Sequence, residues 1–231
     1  MRALIAGTSL LTSSVFSEWE DVRVKTPYGT VLLKKTEGYL FLQRHGTAKV
    51  PPHRINHHAN IWAIESMGAQ KVVAINSVGS LKRNIKPGMF LIPDDFFSPW
   101  SIPTFFETEM RFLVPRMDDG LAERLHRICL RLGMKVVLGG TYVQARGPRL
   151  ETRAEVDFLK KVGDLVGMTL ASEATLCLEK QMSYASLCSI DNYCNGIVKK
   201  PLIISEIAKN ATKNLTALEM LIKILVKDRQ P

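Results

Sequence analysis

The sequence predicts an α/β fold, a single domain over residues 1–231 with a central mixed β-sheet flanked by helices. Short apolar runs alternate with longer amphipathic stretches along the chain, as strand–turn–helix units do. Several short runs are rich in β-branched residues and end in Gly, Ser or Asn, which is typical of buried strands. No Pro/Gly/Ser-rich linker divides the 231 residues, a length that can bury one full core.

Apolar periodicity and the residues at segment ends predict eight strands and five helices along the chain. Strands are predicted at residues 2–6, 31–34, 39–43, 71–76, 89–93, 141–145, 165–167 and 184–190. Helices are predicted at residues 56–67, 120–132, 152–162, 173–181 and 203–227. In the last helix, apolar residues recur at three- and four-residue spacing and form one stripe.

Composition and charge exclude several classes of protein. With 46% hydrophobic and 23% charged residues, the chain has the composition of a soluble globular protein. The net charge is +9, but Lys and Arg are spread out and form no RNP, zinc-finger or helix-turn-helix signature. The charge therefore favours a basic surface that attracts small anionic substrates, rather than a nucleic-acid partner. No apolar run approaches the ~18 residues of a membrane span, and no signal peptide is predicted.

Neither cysteines nor histidines predict a metal site. Cys129, Cys177, Cys188 and Cys194 show no CxxC pairing, so we expect reduced thiols in a cytoplasmic protein, although disulfides in a hyperthermophile's cytoplasm stay open. The histidines between residues 53 and 58 have no usual ligand spacing.

The segment at 96–119 is rich in Phe and Trp and has little periodicity. A solvated loop of this kind would be costly, so it is expected to pack on its own core or on a neighbouring subunit.

Three clusters of small, hydroxylated or cationic residues follow predicted strands. They are Gly7-Thr8-Ser9, Arg44-His45-Gly46 and Asn76-Ser77. Small residues let the main chain approach an anion, an Arg fork matches phosphate geometry, and an imidazole can add a donor. Each cluster alone also fits an ordinary turn or surface group. Their shared position beyond strand ends, where ligands bind in α/β sheets, favours a phosphate site.

Two further segments carry groups suited to a purine. Glu151 can accept a ring N–H, although it also fits a first-turn acid that interacts with a helix dipole. Asn192 can donate and accept at once, which suits the adjacent purine positions N7 and O6. Met168 can lie against a sugar or belong to the core, and Thr169 can reach phosphate.

Taken together, these residues resemble the trimeric purine nucleoside phosphorylases and 5′-methylthioadenosine phosphorylases. Five ordered motifs carry the resemblance: Arg44-His45-Gly46, Ala59-Asn60-Ile61-Trp62-Ala63, Gly79-Ser80-Leu81, residues 147–155 and Gly167-Met168-Thr169. The resemblance implies a homotrimer, or a dimer of trimers, in which Phe112 or a nearby residue closes the neighbouring subunit's site. It also implies reversible phosphorolysis: a nucleoside and inorganic phosphate give a free base and a pentose 1-phosphate, without a metal or other cofactor.

Carried over by position, the resemblance assigns roles to individual residues. Asn192 and Glu151 are the expected catalytic, base-binding pair. Met168 is expected to pack on the ribose, with Leu150 and Asp191 beside the substrate. Phosphate is expected to bind Thr8, Arg44, His45, Asn76, Ser77 and Thr169.

The resemblance also bears on the substrate. Adenine-cleaving members place an acid at the position of Asn192 and another two residues on, where this chain has Cys194, so a 6-oxopurine is expected. Nucleoside-specific members have a histidine at the head of the last helix, whereas residues 201–205 contain no histidine here and form an apolar wall that suits a 5′-methylthio group. The expected substrate is S-methyl-5′-thioinosine. Inosine or guanosine, and methylthioadenosine, are the alternatives.

Some positions depart from the family pattern. Asp191 stands where relatives tend to have an uncharged residue, and Ser9 replaces a glycine. Ala171-Ser172-Glu173 lacks the proline common after the Met-Thr pair. Asp191 and Ser9 favour a rival hypothesis, a non-catalytic purine-binding module with the same fold.

Overall fold

The computed structural model describes residues 1–100 and 102–227, within which eleven strands form one mixed sheet. The strands are β1 (Arg2–Ala6), β2 (Glu20–Thr26), β3 (Gly29–Thr36), β4 (Tyr39–Gln43), β5 (Lys71–Ser80), β6 (Phe90–Ile92), β7 (Asp95–Phe97), β8 (Val136–Leu138), β9 (Thr141–Gln144), β10 (Leu165–Gly167) and β11 (Ser183–Tyr193). The helices are α1 (His57–Ser66), α2 (Asp119–Arg131), α3 (Arg153–Leu159), α4 (Leu170–Glu179) and α5 (Ile204–Lys227).

The predicted α/β class is confirmed, and β1, β4 and β10 have the predicted bounds. The prediction omits β2, β7 and β8. β2 alternates exposed with half-buried residues because it lies at the sheet edge, and β7 and β8 span three residues each, too few to give a periodic signal. β5 and β11 run further than predicted because their last residues, although polar, still pair in the sheet.

The centre of the sheet brings the predicted site segments together. β1 pairs in parallel with both β4 and β5, and β5 pairs in parallel with β11. The carboxyl ends of these four strands therefore meet at one edge. In β11 the register shifts between Ile190 and Asn192, so Asp191 is an extra residue that forms a β-bulge.

Apolar side chains cover both faces of this sheet. On one face, α1 and α4 bury residues such as Ile61, Ile64 and Leu176. On the other, α2 and α5 bury residues such as Leu125 and Leu221. Burying each such side chain contributes roughly 1.5–3 kcal/mol, so both helix layers hold the central strands in place. No helix among the described residues is both long and apolar enough to cross a bilayer.

Candidate active site

One cavity at the carboxyl edge of the central strands collects most of the predicted site residues. Those that line it are Thr8, Arg44, His45, Ser77, Leu150, Glu151, Met168, Thr169 and Asn192. Two predicted residues, Asn76 and Asp191, are buried outside its lining. Asn76 and Gly79 lie three residues apart on β5, which corresponds to about 10 Å along the strand. The residues around Asn76 and those around Gly79 therefore form two separate ends of the cavity. We call these the Arg44 end (Thr8, Arg44, His45, Thr169) and the Glu151 end (Leu150, Glu151, Asn192, Cys194).

Arg44 is held by a buried ion pair that the sequence did not predict. Its Nε donates to Glu173 Oε1 at 2.6 Å, and its Nη2 donates to Glu173 Oε2 at 3.2 Å. Its Nη1 donates to the Ile75 carbonyl at 2.8 Å, and the Tyr184 hydroxyl donates to Glu173 Oε2 at 2.9 Å. Burial would lower the pKa of Arg44, but the Glu173 carboxylate raises it above its usual value, so the guanidinium stays charged. Nη1 and Nη2 each keep a second N–H for a ligand.

Gly7 packs directly on this cation. A Cβ at position 7 would lie 2.6 Å from Arg44 Nη1 and 3.1 Å from His45 Nε2. A side chain at position 7 has no room beside Arg44 and His45, so glycine is required here for space. The strand β1 thus ends in a turn that brings Thr8 to the cavity wall.

His45 presents an acceptor to the cavity, rather than the donor that the sequence suggested. Its Nδ1 lies 2.7 Å from the Val50 carbonyl, which can only accept, so Nδ1 carries the proton. Burial lowers the pKa of His45 below its usual value, so the ring is neutral at pH 7. Nε2 is then free to accept a hydrogen bond.

Asn76 lies behind Thr169. Its Nδ2 donates to Thr169 Oγ1 at 2.8 Å, and its Oδ1 accepts from Ser186 Oγ at 2.7 Å. The side chain is buried and does not line the cavity. The Asn76 amide thus orients Thr169, and its direct contact with phosphate stays a prediction.

Asp191 is also buried behind the wall and does not line the cavity, and its predicted contact with the substrate stays a prediction. The β-bulge turns its carboxylate into the protein, where it accepts from Ser77 Oγ and, at 2.8 Å, from Ser189 Oγ. Burial raises the pKa of Asp191 to about 6. The bulge also sets Asn192 opposite Gly79, at the Glu151 end.

At the Glu151 end, polar groups have few protein partners. Burial raises the pKa of Glu151 above its usual value, and among the described residues its carboxylate has only its own backbone N–H as a hydrogen-bond partner. Asn192 Nδ2 donates to the Tyr193 carbonyl at 2.9 Å and keeps a second N–H. Asn192 Nδ2 and Cys194 Sγ lie 3.1 and 2.7 Å from where a Cβ on Gly79 would sit, so glycine makes room for both. Burial raises the pKa of the Cys194 thiol, which is therefore neutral.

Further residues complete the cavity or stand behind its wall. Leu202 and Ile207 contribute an apolar wall from the head of α5, in agreement with the apolar character of residues 201–205. Glu173 gave a signal that was missed: an acid in the first turn of a helix directly after Thr169. The pairing of β5 with β11 brings Gly79, which the family motif included, beside Asn192 and Cys194.

No group of three potential metal-ligating side chains occurs within residues 1–100 and 102–227. His53, His57 and His58 instead line a second, more open pocket beside Trp100 and Arg146.

The fold resembles that of a solved phosphorylase. Methylthioadenosine phosphorylase from Schistosoma mansoni, solved in complex with adenine, superposes with a TM-score of 0.82 over 100% of this chain and 92% of its own, at 22% identity. A likeness at that identity establishes the fold alone.

Sequence comparison places the chain in a family. The model of the Phosphorylase superfamily matches residues 2–227, so the chain belongs to that superfamily. It is 38% identical to a probable 6-oxopurine nucleoside phosphorylase from Archaeoglobus fulgidus, over 93% of this chain and 90% of the relative. It is also 38% identical to a probable S-methyl-5′-thioinosine phosphorylase from Methanocaldococcus jannaschii, over 90% of this chain and 84% of the relative.

Proposed function

We propose that this protein is a pentosyltransferase that cleaves a 6-oxopurine nucleoside with inorganic phosphate, and that S-methyl-5′-thioinosine is its preferred substrate. The products are hypoxanthine and 5-methylthioribose 1-phosphate. One observation carries the proposal: a charged guanidinium and a carboxylate–amide pair lie at opposite ends of one cavity. The names of the relatives in Archaeoglobus fulgidus and Methanocaldococcus jannaschii support it.

The Arg44 end suits HPO₄²⁻. Arg44 offers N–H groups from Nη1 and Nη2, and Thr169 offers a hydroxyl whose oxygen already accepts from Asn76. His45 Nε2 can accept the single P–O–H of the anion. Charge-assisted bonds of this kind are the strongest available to a phosphate.

The Glu151 end suits a 6-oxopurine. The Glu151 carboxylate accepts from N1–H, a proton that hypoxanthine has and adenine lacks. Asn192 donates its free N–H to the acceptors N7 and O6. Cys194 is a neutral thiol and offers no carboxylate to an adenine amino group. Because the wrong base would leave Glu151 unpaired, discrimination is strong.

The reaction requires no group beyond these residues and phosphate. The C1′–N9 bond lengthens towards an oxocarbenium-like sugar, and a phosphate oxygen forms the new bond to C1′ from the opposite face. Asn192 stabilises the negative charge that builds on the purine, while Arg44 and Thr169 hold the nucleophile in position. The proton of HPO₄²⁻ balances the proton that the departing base takes up. We propose that no metal takes part, so EDTA should leave the rate unchanged.

The apolar wall of Leu202 and Ile207 favours the 5′-methylthio group over a 5′-hydroxyl. The second candidate substrate class, inosine or guanosine, is favoured by the name of the Archaeoglobus fulgidus relative.

We further propose a homotrimer, with a dimer of trimers as the second candidate. The aromatic segment divides in two: Phe96 and Phe105 pack on the protein's own core, whereas Met110, Phe112 and Val114 are 84–92% exposed. A second copy of the chain that covers this patch would remove it from water. Sedimentation of the wild type and of Phe112→Ser should distinguish one, three and six chains.

The four cysteines are unpaired and buried, which supports a reducing compartment, and we propose the cytoplasm. Fractionation of the source cells tests this location.

Phosphate-dependent release of base tests the proposal. Purified enzyme is given S-methyl-5′-thioinosine, inosine, guanosine or methylthioadenosine, with and without phosphate, and the free base is quantified. We expect hypoxanthine from methylthioinosine at the highest kcat/KM and none without phosphate. Binding of hypoxanthine without turnover of any nucleoside would instead support a non-catalytic purine-binding module.

A further inference from the structure

Two hydroxyls line the same cavity, and the networks behind them point in opposite directions. Behind Thr169, Ser186 Oγ donates to Asn76 Oδ1, and Asn76 Nδ2 donates to Thr169 Oγ1. Every donor in this series points outward. Since the Thr169 oxygen already accepts, its own proton is available to a ligand.

Behind Ser77, the donors point inward. Asn214 Nδ2 donates to Ser189 Oγ at 2.8 Å, and Ser189 Oγ donates to Asp191 Oδ1 at 2.8 Å. Ser77 Oγ donates to the other carboxylate oxygen, Asp191 Oδ2. A serine hydroxyl has one proton, so Ser77 keeps only lone pairs for the cavity.

We infer that Asp191 is a positioning residue that makes Ser77 a hydrogen-bond acceptor for a sugar hydroxyl of the nucleoside. Ser77 then does not donate to phosphate, the role first expected of it. The inference rests on the proposed function and assigns different roles to the two hydroxyls. Thr169 donates to phosphate, and Ser77 accepts from a ribose O–H.

The surroundings of Asp191 keep its carboxylate in the accepting form. Its pKa of about 6 leaves it mostly ionised at pH 7. The groups bonded to it come from β5 (Ser77), β11 (Ser189) and α5, where Asn210 Nδ2 donates to the Asp191 carbonyl at 2.9 Å. These partners are uncharged hydroxyls and amides, so hydrogen bonds hold the carboxylate in place.

The test compares Asp191→Val with wild type on three probes: inosine, 2′-deoxyinosine and 3′-deoxyinosine. Nucleoside binding is measured by calorimetry without phosphate, and turnover is measured separately. Losing the Asp191 acceptor frees the Ser77 proton to rotate into the cavity. We expect inosine to bind about tenfold or more weakly, since the lost hydrogen bond depends on a charged group. One of the two deoxynucleosides should bind equally to both proteins, and the KM for phosphate should not rise.

Matched variants separate positioning from a structural role. Ser77→Ala should give the same selective loss, and adding Asp191→Val to it should weaken inosine no further. Thr212→Ala, at an exposed hydroxyl on α5 that donates to the Ala208 carbonyl, is the control and should change inosine affinity by less than about twofold. If Asp191→Val does not fold, Ser77→Ala with the deoxynucleosides decides the question.

Equal weakening of all three nucleosides, or a raised phosphate KM with unchanged inosine affinity, would overturn the inference. Because binding is measured without phosphate, a wild type that binds inosine but releases no base refutes only the proposed reaction.

Discussion

The two ends of the cavity differ in how far their polar groups are paired before a ligand arrives. At the Arg44 end, the guanidinium is 3% exposed and already bonded to Glu173, which in turn bonds Tyr184. At the Glu151 end, the half-buried carboxylate has only its own backbone N–H as a hydrogen-bond partner within residues 1–100 and 102–227. The first end is preorganised, which favours fixing a small, symmetric anion. At the second end the hydrogen-bonding groups have few protein partners, so that only a base with matching donors and acceptors satisfies them.

The largest effect is expected from breaking the preorganised end. Glu173→Gln removes the charge that balances buried Arg44, so kcat/KM for phosphate should fall by about 10³, measured by phosphorolysis at varied phosphate. The free energy of unfolding should fall by about 3–5 kcal/mol, measured in urea, because a buried cation loses its partner. Glu123→Gln, at an exposed carboxylate on α2, is the control and should change neither quantity. Full activity in Glu173→Gln would show that the ion pair does not prepare Arg44.

The next effect concerns the unsatisfied end. Asn192→Asp replaces a donor with an acceptor facing O6 and N7, so kcat/KM for methylthioinosine should fall by about 10²–10³. The ratio of hypoxanthine to adenine released from methylthioinosine and methylthioadenosine measures the change in base preference. Asn195→Asp, three residues on and outside the cavity lining, is the matched control. An unchanged ratio would remove Asn192 from base recognition.

A smaller effect is expected from crowding the Arg44 end without changing its charges. In Gly7→Ala, the new methyl group would meet Arg44 Nη1 at 2.6 Å and displace it. The KM for phosphate should rise about tenfold while nucleoside affinity stays near wild type, because only one end is disturbed. Gly120→Ala serves as control, since its nearest contact would be 3.4 Å away. Equal losses for both substrates would mean that the two ends are mechanically coupled.

The smallest expected effect is the dependence of hypoxanthine affinity on pH, which tests the Glu151 end alone. Burial raises the pKa of Glu151, so this carboxylate protonates at a higher pH than an ordinary glutamate and then cannot accept from N1–H. As pH falls, hypoxanthine affinity should decrease, and the decrease should begin at a higher pH than an ordinary glutamate would give, measured by calorimetry in phosphate-free buffer. Glu151→Gln should bind more weakly and show a flat profile. A wild-type profile that is flat, or that rises towards acid, contradicts the assignment of Glu151.

The sequence predicted the central strands and most of the cavity wall, because polar residues directly after buried strands have few other places to lie. It did not predict the buried hydrogen-bond networks behind the cavity wall. Asn76 and Ser77 are adjacent on β5, yet strand alternation sends their side chains to different networks, and the partners Thr169, Ser186 and Asp191 are distant in sequence. The inward turn of Asp191 depends on a bulge that has no local sequence signal.

The β-bulge at Asp191 sets which side chains of β11 face the cavity. Upstream of Asp191, β11 pairs Ser189 with Ser77; downstream, it pairs Asn192 with Gly79. Losing or gaining one residue in the strand would bring a wrong side chain to the wall, whereas the connection at 195–203 can change length without altering this phase. Substitutions in β11 can therefore change the substrate preference, whereas an insertion or deletion in this strand would disrupt the cavity wall.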